Sequence, residues 1–318
     1  MNRRQFMKSC MAVGAVSALP SLAFAAPAGL RTQTRLLMGT TVSISAAHQS
    51  SSLPSYQIDE AMQRAFERIL ALETVFNRHD SASALGVLNS QGSLKDAPED
   101  LRALLGESLA LYRATGGAFD VSVAPLVDLM ETGSHFDRRD FAEAKALADI
   151  SALRLEGDSL RLEKSGMALT LDGIAKGFIT DAAAKAMRLA GVHDFLINSG
   201  GDIYASGQKA PGQNWKIAIE SPEKDGNYPA VISLSDRAVA TSGGYERPGH
   251  LVDPRNGVSA KLYKSVTVTA QSVKEADALA TALSSMPLLR SKAFVAGRPG
   301  CAALFIDNSG KIHSSNWA

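Results

Sequence analysis

Apolar positions along this chain fall into two rhythms. Residues 59–76 place Ala61, Met62, Ala65, Phe66, Ile69, Leu70 and Leu72 at three- and four-residue spacings, the stripe of an amphipathic helix. A second such helix is predicted over 99–114, ended by Thr115-Gly116-Gly117, and a third over 177–190, with Gly191 as its C-terminal stop. Ser272 and Glu275 have capping-box spacing ahead of the run 274–286, and Pro287 stops that helix. A period of two marks strands in the second half of 36–45 and at 195–198, 215–220, 231–234, 238–241 and 265–270. Hairpins are predicted at 154–162 around Gly157-Asp158 and at 302–314 around Asn308-Ser309-Gly310. Residues 168–171 read as a short strand, 83–88 as one helical turn, 49–55 as a polar loop, and 131–150 as a charged surface excursion with a short helix. Helices and strands intermix, yet the late strands follow each other through short turns. The expected fold is α+β, a mixed, largely antiparallel sheet with flanking helices, not a doubly wound parallel sheet.

Residues 1–25 follow neither rhythm. Asn2-Arg3-Arg4-Gln5-Phe6-Met7-Lys8 is a twin-arginine pattern, the apolar stretch 10–22 is too short to span a bilayer, and Ala23-Phe24-Ala25 fits a small-x-small cleavage site. This predicts a removable export signal cleaved after Ala25, a periplasmic destination, and a single domain over 26–318, two closely packed lobes being the alternative. The twin-arginine route carries proteins already folded. Cleavage takes away Arg3, Arg4 and Lys8 and no acids, leaving 30 basic and 32 acidic residues, a formal charge of −2. Nothing in that balance points to nucleic acid. Only Cys301 survives maturation; it cannot form an internal disulfide, and its apolar surroundings read as those of a buried, inert thiol.

Several short segments carry candidate chemistry, each beside a plainer structural reading. Asp277 and Thr281 lie four apart on one face of the predicted last helix. A carboxylate and a hydroxyl are hard oxygen donors that suit Mg²⁺, which takes few protein ligands and leaves positions for phosphate oxygens; alternatively Asp277 merely answers the helix dipole. Thr170-Leu171-Asp172-Gly173-Ile174-Ala175-Lys176-Gly177 joins strand to helix through glycines, an arrangement that offers backbone N–H groups to a diphosphate but lacks P-loop spacing. Asn198-Ser199-Gly200-Gly201-Asp202 and Thr241-Ser242-Gly243-Gly244 read either as close-approach loops or as tight turns. His250, ahead of Asp253-Pro254, is placed to accept a proton near neutral pH or to brace its turn. Ala118-Phe119-Asp120 presents an aromatic and an acid, or a core Phe beside an N-cap Asp.

Taken in order, these segments resemble one family. Met38-Gly39-Thr40-Thr41, Gly117 to Asp120 with Pro125-Leu126, Gly173 to Gly177, Gly200-Gly201-Asp202, Thr241-Ser242-Gly243, His250 to Pro254, and Ala276-Asp277 with Ala280-Thr281-Ala282 are similar to the successive motifs of the ApbE family, and the similarity covers residues 35–318. These are periplasmic FAD:protein FMN transferases. The resemblance implies an ApbE-like fold and a Mg²⁺-dependent enzyme that cuts the pyrophosphate of its substrate FAD. FMN passes to a Ser or Thr hydroxyl of a partner flavoprotein as a phosphoester, and AMP leaves. By position, Met38, His79, Ala118, Phe119, Asp120, Thr170, Lys176 and the backbone near Leu251 would surround FAD. Asp277, Thr281 and the Gly173 carbonyl would hold the metal, and His250 would be the general base. The implied acceptor is an exported domain of a membrane electron-transfer complex, met transiently at the membrane surface. Two departures are visible: His79 lies in a segment where relatives often have an aromatic, and Thr170 stands where Asp is common, with Asp172 two residues on.

The reaction needs these parts on chemical grounds. A diphosphate must have its charge neutralised and its oxygens held in line, and an alcohol must lose its proton as it attacks phosphorus. Two other functions fit the same residues: a Mg²⁺-dependent FAD pyrophosphatase giving FMN and AMP, and a non-catalytic exported FAD-binding protein. Dependence of cleavage on an acceptor protein separates the first, and release of AMP the second.

Overall fold

A computed structural model describes residues 29–48, 53–133, 136–244 and 251–317. The proposed signal and His250 lie outside these residues. The strands are β1 (Leu30–Leu37), β2 (Thr40–Ala47), β3 (Ser93–Leu94), β4 (Leu153–Glu156), β5 (Ser159–Leu162), β6 (Phe195–Ser199), β7 (Asp202–Ser206), β8 (Trp215–Ile219), β9 (Ala230–Leu234), β10 (Arg237–Gly243), β11 (Tyr263–Ala270), β12 (Ala302–Asp307) and β13 (Ile312–Ser315). The helices are α1 (Ser55–Phe76), α2 (Ala84–Gln91), α3 (Glu99–Thr115), α4 (Ala124–Glu131), α5 (Arg138–Leu147), α6 (Ala175–Leu189), α7 (Val273–Ser284) and α8 (Leu288–Ala296).

Eight strands form one sheet in the order β1-β2-β6-β7-β10-β11-β12-β13, every pairing antiparallel. Alternation divides its two faces. Along β10, Ala238 and Ala240 enter the main core with Val266, Val268 and Ala270 of β11, whereas Val239 joins Ile203 and Ala205 beneath the separate β8–β9 ribbon. Trp215, Ile217, Ile219 and Leu234 cover that second cluster. Helices α1, α6 and α7 supply the other side of the main core, α1 through Ile58, Ala61, Met62, Ala65, Phe66, Ile69, Leu72 and Phe76. Leu70 falls off this stripe and is 45 % exposed. The largely antiparallel α+β expectation holds.

Three local readings need correction. Residues 168–171 belong to no strand and no sheet. The side-chain amide of Asn89 takes the place of a strand neighbour, its Oδ1 accepting Leu169 N–H at 2.8 Å and its Nδ2 donating to the Leu169 carbonyl at 2.9 Å. The single turn expected at 83–88 is a full helix, α2, capped by Ser83 Oγ on Gly86 N–H and ended by left-handed Gly92. Helices α4 and α8 were not expected from the apolar rhythm; Pro125 occupies the first turn of α4, and Pro287, which follows α7, is also the N-cap of α8.

Candidate functional site

Two tight hairpin turns open the site. Leu37 pairs with Thr40, so Met38 and Gly39 make the β1–β2 turn, both with positive φ (52° and 69°). A non-glycine residue held there is strained, and Glu73 of α1 fixes it by accepting Met38 N–H at 3.2 Å. Gly200 and Gly201 make the β6–β7 turn, and a Cβ at Gly200 would meet Thr40 Oγ1 at 2.3 Å. The two turns are therefore packed against each other.

The segment after α3 supplies the next wall. Phe119 is buried, its N–H donating to Thr115 Oγ1 at 3.1 Å, and Ser285 Oγ donates to the Ala118 carbonyl at 3.3 Å. The Asp120 carboxylate serves its own backbone: Oδ1 accepts Ser122 N–H at 2.8 Å and Oδ2 accepts Ile150 N–H at 3.3 Å. Burial raises its pKa, and the Ser122 and Ile150 hydrogen bonds oppose that. Thr170 is tied to this wall through its N–H to the Val121 carbonyl at 2.7 Å.

Helices α6 and α7 bring the charge. Lys176, in the first turn of α6, pairs with Asp202 Oδ2 at 3.0 Å. Asp277 is 5 % exposed, and its Oδ2 accepts Gly177 N–H at 3.0 Å. Burial is the largest cause holding its pKa well above the ordinary carboxylate value; the Asp202 and Asp172 charges add to this, while Lys176 and the Gly177 N–H oppose it. One turn on, Thr281 Oγ1 lies 3.4 Å from Ser242 Oγ. A Cβ at Gly173 would meet Thr281 Oγ1 at 2.9 Å, so only glycine lets that backbone come so close. Ser272 Oγ caps α7 at Glu275 N–H as expected, and Asp181 of α6 accepts the two preceding N–H groups.

These segments enclose a cavity of about 550 Å³. Met38, Ala118, Phe119, Asp120, Thr170, Gly173, Lys176, Leu251, Asp277 and Thr281 all line it. His79 does not: it is exposed in the turn after α1, with its N–H on Asn77 Oδ1, and is not among the lining residues. His250 lies outside the described residues, but the chain that follows it reaches the cavity through Leu251, Val252 and Pro254. The Asp-Pro turn there is held by Arg255, which clasps Asp253 through Nε and Nη2 at 2.8 and 2.9 Å. Sequence reasoning missed Ser242 and Lys224 as lining residues, and Asp181 as the acceptor at the start of α7. Only the Thr241-Ser242-Gly243 motif carried a signal for any of them, and it is not the tight turn that was expected: its residues end β10 and pair with β11.

The ApbE family profile matches residues 38–305, which include every described segment of this cavity. The chain belongs to the ApbE family. A Treponema pallidum protein named FAD:protein FMN transferase is 30% identical over 298 residues, covering 83% of this chain and 82% of that one. A Vibrio cholerae protein of the same name is 29% identical, covering 78% and 79%. The solved flavin transferase ApbE from Vibrio cholerae superposes with a TM-score of 0.78 at 27% identity, over 90% of this chain and 97% of that one. The ApbE protein of Thermotoga maritima gives 0.79 at 26%, over 90% and 97%. The fold is thus that of the family.

The donor set is compatible with Mg²⁺. It is all oxygen, and Gly173 and Thr281 are brought together beside a buried carboxylate that lies near two others. Among the described residues no group of three or more His, Cys, Asp or Glu could hold a metal. That excludes the dense donor clusters of zinc sites there, but not a site that fills its shell with phosphate oxygens.

Proposed function

We propose that this protein is a Mg²⁺-dependent, exported FAD:protein FMN transferase acting on a Ser or Thr hydroxyl of a flavoprotein outside the cytoplasm. The observation that carries this is a cavity, in a chain of the ApbE family, that combines apolar surface (Met38, Phe119, Leu251) with a cation and oxygen donors (Lys176, Asp277, Thr281). Phe119 and the Met38 thioether suit flat aromatic rings. Lys176 and the N-terminal turn of α6 direct positive charge toward a diphosphate. Mg²⁺ held by Asp277, the Thr281 hydroxyl and the Gly173 carbonyl would neutralise the diphosphate and polarise it as a Lewis acid. The acceptor oxygen bonds to the FMN phosphorus as the bond to the bridging oxygen breaks. AMP departs with that oxygen and its electron pair, and the hydroxyl proton goes to His250.

The test is to mix the mature protein with FAD, Mg²⁺ and exported flavoprotein domains. A gain of one FMN in acceptor mass, lost with a chelator, is expected. The His250→Ala variant should transfer about 10²–10⁴-fold more slowly while binding FAD normally. FMN and AMP formed equally fast without acceptor would make the protein a pyrophosphatase, and FAD left intact would make it a binding protein.

A further inference from the structure

Two helices bring a cation and two oxygen donors to the cavity, α6 through Lys176 and α7 through Asp277 and Thr281. Their contact is backbone on backbone. A Cβ at Gly177 would lie 2.6 Å from both Lys274 Cα and the Val273 carbonyl oxygen. Carboxylates then cross the seam in both directions. Asp277 of α7 accepts Gly177 N–H at 3.0 Å. One turn along α6, Asp181 accepts Val273 N–H through Oδ1 at 2.8 Å and Lys274 N–H through Oδ2 at 2.9 Å. Each helix lends an acid to the other's first turn, where N–H groups have no partner within the helix. Ser272 already takes the third N–H of α7, so Asp181 completes the cap from outside the helix.

We propose that Asp181 is a positioning residue for this site: it fixes the register of α7 on α6, and through it the placement of Asp277 and Thr281 against Gly177 and Gly173. One planar carboxylate bonded to two consecutive N–H groups sets both the height and the rotation of α7. A slip of one residue turns a helix by about 100° and would carry Asp277 away from Gly177. Asp181 is not among the residues lining the cavity, so it acts through α7.

The test compares the parent with Asp181→Ala, which keeps no acceptor, and Asp181→Asn, which keeps one. Amide exchange at Gly177 reports the register, and exchange at Val268 in β11 reports overall stability. Exchange at Gly177 should rise by about tenfold or more relative to Val268 in the Ala variant, and less in the Asn variant. Mn²⁺, followed by electron paramagnetic resonance as a metal probe, should bind the Ala variant about tenfold more weakly. Equal acceleration at both amides, or none at Gly177, would reduce Asp181 to an ordinary structural cap and overturn the proposal. If the Ala variant does not fold, the Asn variant decides on the same ratio. The metal arm rests on the function proposed above. A parent protein that binds no Mn²⁺ would sink that reading, and the Gly177 to Val268 ratio would still decide on Asp181.

Discussion

Asp277 sits in an environment that disfavours its own charge. Burial is the main cause, Asp202 and Asp172 add to it, and Lys176 with the Gly177 N–H offsets only part. In the unfolded chain an aspartate loses its proton near pH 4. In the fold it holds the proton to higher pH, so between those two values the folded state binds more protons. Its contribution to stability is then present below about pH 4 and lost as pH rises through the folded value. Asparagine keeps an acceptor for Gly177 N–H without the charge. Asp277→Asn should therefore melt above the parent at pH 7 in a chelator, the difference should close toward pH 4, and transfer with Mg²⁺ should be abolished. A melting temperature at or below the parent's at pH 7 would remove the claim that this site is held at the expense of stability. Asp277 and Thr281 were legible in the sequence because their relation is local, one turn of one helix. Asp181 was not, because its partners lie 92 and 93 residues away. Asp120 shows both cases: the N-cap reading of its carboxylate was legible and its bond to Ser122 N–H bears it out, but its bond to Ile150, 30 residues on, was not.

At the level of elements, the α6–α7 seam depends on a residue with no side chain. Alanine at Gly177 would drive a methyl group against the backbone of Val273 and Lys274, which cannot rotate away as a side chain can. Gly177→Ala should cost about 1–3 kcal/mol, the usual penalty of overpacking. It should also weaken FAD turnover more than a stability loss alone predicts, since the two helices must part where Asp277 meets α6. Urea unfolding and saturating-substrate rates on one preparation check both; normal turnover would uncouple the seam from the site. The elements legible beforehand were those with long apolar periods, α1, α3, α6 and α7, and the antiparallel hairpins. Those missed have two kinds of cause, a distant partner or a local signal read too narrowly. Asn89 replaces a strand neighbour for 168–171, and α8 follows directly from the proline that was read only as a stop.

The whole molecule explains why the site could not exist in pieces. Its lining comes from the β1–β2 turn, the segment after α3, the start of α6, the β6–β7 turn, the loop bearing Lys224, the end of β10, the Asp-Pro turn and α7. No shorter run of chain brings Met38 to Thr281, so FAD can be held only by a folded protein. If FAD is bound before the export proposed above, the chain crosses the membrane folded, and the Arg3-Arg4 pair is the feature of residues 1–25 that fits such a route. Replacing both arginines by lysine keeps the charge and the apolar stretch while removing the pattern. The variant precursor is expected to stay in the cytoplasm with its first 25 residues attached, resistant to protease when FAD is added, and active in FMN transfer once extracted. Mature protein still arriving outside the cytoplasm would overturn the twin-arginine assignment. Retained precursor that is protease-sensitive and inactive would instead place folding after export.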